Sequence, residues 1–189
     1  MLKIIQNIKM KYLKSLSIAA LFTIALFTSC ERDDICPAST PTTPRLIIEA
    51  YDAAVQENSK NIFGLVVLGV DNDEVLDGYS VVSTDELILP LRTDTTTTQY
   101  SLISGYSYDD NDTPDDTSDD IIEGNEDIIT ISYTTEQVYV SRACGYKTIF
   151  NNVSFTIEDD GDNWILSRSA LIDNQTIEDE TAAHYNIFH

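Results

Sequence analysis

The chain has 189 residues, 42% of them apolar, which suits one packed domain with a short extension and excludes both two ordinary domains and a disordered acidic tail. Its 32 acidic and 11 basic residues leave a net charge of −21 at pH 7, and this excludes nucleic acid as a partner, because a phosphate backbone demands a basic face. Only two histidines occur, His184 and His189, so neither a histidine-rich metal site nor a catalytic set built on histidine is supported.

Residues 1–29 contain no acid and four lysines, Lys3, Lys9, Lys11 and Lys14. An apolar run follows from Leu16 to Phe27, broken by Ser17 and Thr23. Basic first and apolar second is the pattern of a secretory signal, and a dozen or so apolar residues fall short of the roughly 20 that a spanning helix needs. Leu26-Phe27-Thr28-Ser29-Cys30 then resembles a bacterial lipobox, although Phe27 stands where leucine is usual. The resemblance implies cleavage before Cys30 and acylation of that cysteine. Each methylene buried in the bilayer contributes about 0.8 kcal/mol, and two or more chains anchor stably. An ordinary signal with an incidental cysteine is the alternative. Loss of residues 1–29 leaves a still more acidic chain, expected to stand off anionic headgroups.

Glu31-Arg32-Asp33-Asp34 resembles the surface-export signal of Bacteroidota lipoproteins, with retention on the periplasmic face as the alternative. Across 30–44, Pro37, Pro41 and Pro44 alternate with Ser39, Thr40, Thr42 and Thr43, a composition that predicts an extended, semi-stiff tether. With Cys30 lipidated, Cys36 and Cys144 remain. Two cysteines in an exported chain predict one disulfide, with two separate thiols as the alternative. A third reading, Cys144 as a nucleophile with His184 as its base, has no local signature.

From Arg45 to His189 the hydrophobic period is two. Leu87, Leu89 and Leu91, then Ile129, Ile131 and Tyr133, then Val138 and Val140, then Val153, Phe155 and Ile157 each alternate with outward positions. Strands are predicted near 45–51, 61–70, 78–83, 86–92, 98–104, 127–134, 136–142, 147–157 and 164–172. The run Ile62–Val70 reads as a strand buried on both faces, with a short helix as the alternative that Val66, Val67 and Val70 disfavour. Asp159-Asp160-Gly161-Asp162-Asn163 reads as a hairpin loop. Short strands, polar turns and no helical periodicity predict an all-β fold, a β-sandwich with an Ig-like Greek key, and a small β-barrel as the alternative. The alternating apolar residues and Trp164 are the expected core.

Ten acids lie between Asp109 and Asp127, and the stretch is expected to be a solvated surface loop. Calcium is the functional alternative, with Asp109, Asn111, Asp115 and Asp120 as oxygen ligands. The spacing superficially matches an EF-hand loop but places Pro114 where the turn needs glycine and Asp120 where it needs a bidentate glutamate. No other cofactor is expected. Asp94-Thr95-Thr96 matches a short O-glycosylation pattern of exported Bacteroidota proteins, which nominates Thr95; a polar strand edge is the plain reading.

The segment from Tyr139 to Asn152, with Cys144 at its centre, the opening Cys30 followed by Cys36-Pro37, and Pro90-Leu91-Arg92-Thr93-Asp94 together resemble an uncharacterised family of Bacteroidota cell-envelope lipoproteins. The resemblance implies an anchored, mostly β envelope domain, transfers no catalytic residue, and adds weight to a Cys36–Cys144 bond. The expected function is that of a non-enzymatic binding module or accessory subunit, held to the outer membrane by its lipid, with an envelope protein as partner. A surface module for calcium or a glycan, with Trp164 and tyrosines as stacking surfaces, is the alternative. A hydrolase working through a carboxylate pair is the third.

Overall fold

The computed structural model describes residues 35–70, 72, 74–112, 118, 121–171 and 175–189. Cys30, Asp115 and Asp120 therefore lie outside the described residues. Among the described residues there are nine strands: β1 Leu46–Tyr51, β2 Ile62–Gly69, β3 Val82–Thr84, β4 Glu86–Leu89, β5 Thr97–Asp109, β6 Ile121–Ser141, β7 Gly145–Ile157, β8 Ser167–Ala170 and β9 Tyr185–Phe188. They form two sheets, β4-β1-β9-β8 and β3-β2-β5-β6-β7, which do not close into a barrel. The fold is an all-β sandwich.

The chain divides into two compact units. The smaller joins the segment that ends at Thr40 to Val140–Gly145. Its staple is a disulfide between Cys36 and Cys144, 108 residues apart. The Cys144 N–H donates to Ser141 Oγ at 3.0 Å, which closes the β6–β7 turn locally, and Gly145 follows at φ +70°, a left-handed conformation that favours glycine. The larger unit, Pro41–Tyr139 with Tyr146–His189, holds both sheets and the core.

That core is drawn from the inward rows of both sheets. Leu46, Ile48, Leu87, Leu89 and Ile187 come from one, and Ile62, Leu65, Leu102, Ile129, Ile131, Val153 and Phe155 from the other, all fully buried. Tyr133 meets Phe150 edge-on at 4.9 Å, and Phe155 meets Tyr185 at 5.2 Å, the arrangement that aromatic quadrupoles prefer. Ile157 and Trp164 are partly buried against this cluster. Val138 and Val140 are half-exposed and stand outside it, because the inward row of β6 ends at Tyr133.

β2 is not buried on both faces as its composition suggested. Phe63 is 68% exposed. The pairing with β3 shifts register between Ile62 and Leu65, and Gly64 sits in the break at φ +58°. A bulge adds one residue to the strand, so Ile62 and Leu65, three apart, both face inward. Glycine is required there, since a Cβ would lie 3.0 Å from the Tyr106 amide nitrogen.

Three further expectations change. The segments 127–134 and 136–142 are one strand, β6, because Thr134, Thr135 and Glu136 continue the extended backbone instead of turning. The acidic stretch 109–127 is a much shorter loop: β5 runs to Asp109 and β6 begins at Ile121, with Ser107↔Glu123, Tyr108↔Ile122 and Asp109↔Ile121 in register. Backbone ladder bonds hold this ribbon whatever its side chains carry, and its exposed sides let the carboxylates stay in water. Asp159–Asn163 does not close a hairpin, since β7 and β8 lie in different sheets; it is a crossover between them. β9 has no counterpart in the sequence reading. It lies parallel to β1, Ile48↔Tyr185 to Tyr51↔Phe188, and at four residues it is too short to show a period.

Candidate functional site

The titratable groups that sequence reading could nominate are engaged in holding the fold. His184 is buried, its Nδ1 accepting the Ile47 N–H at 2.9 Å and its Nε2 donating to the Asp179 carbonyl at 3.2 Å. This fixes a neutral tautomer, and burial lowers its pKa. Cys144 is disulfide-bonded, so the nucleophile pair with His184 does not exist. His189 Nε2 pairs with the Lys60 carbonyl at 3.2 Å, while Lys60 Nζ donates to the His189 carbonyl at 2.7 Å. Asp127, counted above among the loop acids, is fully buried on β6. Its carboxylate accepts the amides of Trp164 at 3.2 Å and Ile165 at 2.8 Å, tying the crossover to the sheet, and desolvation raises its pKa.

Of the calcium candidates, Asp109 ends β5 and Asn111 follows in the turn. Asp109 Oδ1 accepts the Asn111 amide at 2.9 Å, and Asp110 Oδ1 the Asp112 amide at 3.2 Å. These are local side-chain turns of the Asx kind. Among the described residues no group of three or more His, Cys, Asp or Glu is placed to hold a metal. Trp164 is no open stacking surface: its Nε1 donates to the Leu102 carbonyl at 3.1 Å and its ring meets His189 edge-on at 5.6 Å.

Thr95 lies on an open groove of about 910 Å³. The loop after β2, with Asn72, Glu74 and Asp77, forms one wall, and Arg92 with Thr95–Thr97 forms the other. Its backing is rigid. The Arg92 N–H donates to Thr98 Oγ1 at 3.0 Å, Thr98 Oγ1 lies 2.5 Å from the Tyr133 hydroxyl, and that hydroxyl donates to the Arg92 carbonyl at 2.7 Å. The Tyr100 hydroxyl donates to the Pro90 carbonyl, and burial raises its pKa. At the mouth, Arg92 forms a two-pronged pair with Asp94 at 3.1 and 2.9 Å, exposed enough to contribute little to stability. Thr95 Oγ1 donates to the Thr97 carbonyl at 2.7 Å. The groove thus offers hydroxyls, an amide and carboxylates at an open surface, a donor and acceptor set suited to a polar ligand.

A smaller cleft of about 290 Å³ was not legible in the sequence. It gathers Glu49, Asp85 and Glu86, with Glu49 directly opposite Glu86 across β1 and β4. Two of the three carboxylates take hydroxyl donors, Glu49 from Tyr51 at 2.7 Å and Asp85 from Ser59. Strand pairing brings these acids together from 36 residues away, and local spacing carries no trace of that.

No curated protein and no solved structure matches the chain. A family model does match, over residues 64–189, which takes in β3 to β9, most of β2, both walls of the groove and Cys144. The chain belongs to the family of unknown function DUF6452.

Proposed function

We propose that this chain is a lipid-anchored envelope protein that acts by binding a protein partner, as an accessory subunit rather than a catalyst. The observation that carries the reading is the Cys36–Cys144 disulfide, which needs an oxidising compartment to persist. The lysine-rich, acid-free head, its apolar run and the lipobox ending at Cys30 supply the route to that compartment and the anchor. The resemblance to Bacteroidota envelope lipoproteins favours the outer membrane. The engagement of His184, His189 and Asp127 with backbone groups supports binding over catalysis.

The test is cross-linking in native membranes, purification of the tagged chain, and mass spectrometry of bait and partners. The expected result is a mature chain that begins at an acylated Cys30 and one partner in stoichiometric yield. Recovery of the bait alone would refute the accessory-subunit reading. A second reading is favoured by the hydroxyl-lined groove, which suits a neutral glycan. Glycan-array binding that is lost in Thr96→Val with Thr97→Val, both on the groove wall, would establish it.

A further inference from the structure

Part of β5 and β6 runs on past its neighbours in the sheet. β2 pairs with β5 from Tyr100 as far as Ile103, and the Glu158 N–H, just beyond the end of β7, reaches the Ile128 carbonyl at 2.9 Å. Past these points the two strands continue as a two-stranded arm, with Ser107↔Glu123, Tyr108↔Ile122 and Asp109↔Ile121 in register. The register shifts between Ser104 and Ser107 at its root, a bulge that bends the ribbon.

The arm carries apolar side chains with no core to take them. Residues directly opposite in an antiparallel pair share a face, so Tyr108 and Ile122 lie together on one side and Ile121 lies beside Asp109 on the other. Tyr108, Ile122 and Ile121 are 54%, 66% and 49% exposed. A single exposed apolar residue needs no account, but three on two adjacent rungs of one ribbon form a patch. The charge around that patch has one sign. Asp109, Asp110, Asp112, Glu123 and Glu126 lie in or next to these rungs, and the sequence has no lysine or arginine between Arg92 and Arg142.

We infer that the β5–β6 arm is the element that docks on the protein partner, and that the partner's receiving surface is an apolar pocket rimmed by lysine and arginine. The inference rests on the partner-binding reading and names the face that serves it. Charge complementarity selects this occupant. A second copy brings the same acidic arm and a net charge of −21, and an anionic bilayer is repelled likewise. Tyr108, Ile121 and Ile122 supply the desolvated centre of such an interface, and the carboxylates supply its polar rim.

The test places the photo-cross-linker p-benzoylphenylalanine at position 108 or 122 of the full chain in native membranes. Position 166 is the control, since Leu166 is exposed just before β8. The expected result is one protein cross-linked from positions 108 and 122 and not from 166. Mass spectrometry should locate the modified peptide among lysines and arginines. Ile121→Thr with Ile122→Thr, which keeps the β-branched shape and the strand propensity, should lower the yield from position 108 about tenfold. Raising NaCl from about 50 to about 500 mM should lower it as well. A yield indifferent to both changes would overturn the inference, as would a contact peptide without basic residues, or cross-links to a second copy or to lipid. A partner that co-purifies in stoichiometric yield but gives no cross-link from either position would overturn the arm and leave the partner reading standing. Neither a cross-link nor a co-purifying partner would overturn both.

Discussion

Loss of the Cys36–Cys144 bond is the perturbation with the best-defined magnitude. The bond joins residues 108 apart, and the loop it closes takes in strands β1 to β6. Chain-entropy reasoning removes from the unfolded ensemble the freedom of that whole loop, about 4.8 kcal/mol at 25 °C. For a domain of this size the loss corresponds to a fall in Tm of about 10–20 °C. The folded state loses little by comparison, since Cys144 lies in a half-exposed turn. Urea unfolding of the wild-type chain, oxidised and reduced, and of Cys36→Ser with Cys144→Ser should give one common destabilised midpoint for the last two. The m-value should rise, because the uncrosslinked unfolded chain exposes more surface. A midpoint shift worth less than about 1 kcal/mol with an unchanged m-value, in a wild type whose disulfide is verified by mass, would refute the reasoning.

Asp127→Ala should cost about 2–5 kcal/mol, because the buried amide of Ile165 and the partly buried amide of Trp164 lose their acceptor; Asp127→Asn, which keeps one acceptor, should cost less, and urea midpoints of the two variants give the comparison. His184 has a pKa lowered by burial, so the folded state resists protonation that the unfolded state accepts. Its contribution is fully present above the unfolded value of about 6.5 and is lost as pH falls below it, and His184→Asn should flatten stability between about pH 6.5 and 5, measured by urea midpoints across that range. Gly64→Ala should destabilise by about 1–3 kcal/mol through its left-handed φ and its contact with the Tyr106 backbone, whereas Gly161→Ala, which meets nothing within 4 Å, should pay only for its φ. Melting curves in millimolar calcium and in excess chelator should superimpose, since Asp109 already caps its own turn; a calcium-induced rise in Tm would establish the metal reading.

Much of the architecture follows from local pattern. Leu87 and Leu89, Ile129 and Ile131, and Val153 and Phe155 alternate strictly, and each pair faces the core, because a strand with one wet face can satisfy its side chains in one way only. The cysteine count was enough to predict the bond that the structure contains. What tertiary structure decided is wherever the partner lies far along the chain. β9 is a strand because β1, some 137 residues earlier, offers it a parallel edge. Asp159–Asn163 has the composition of a hairpin loop and became a crossover because β8 pairs with β9 and not with β7. Asp127 carries the same charge as its exposed neighbours, and only the amides of Trp164 and Ile165 make it a core residue. The groove and the Glu49–Asp85–Glu86 cleft belong to the same class, since both gather residues through pairing between strands distant in the chain. Local spacing encodes which face of a strand is apolar; which strands meet, and which side chains they bring together, is set by the packing of the whole core.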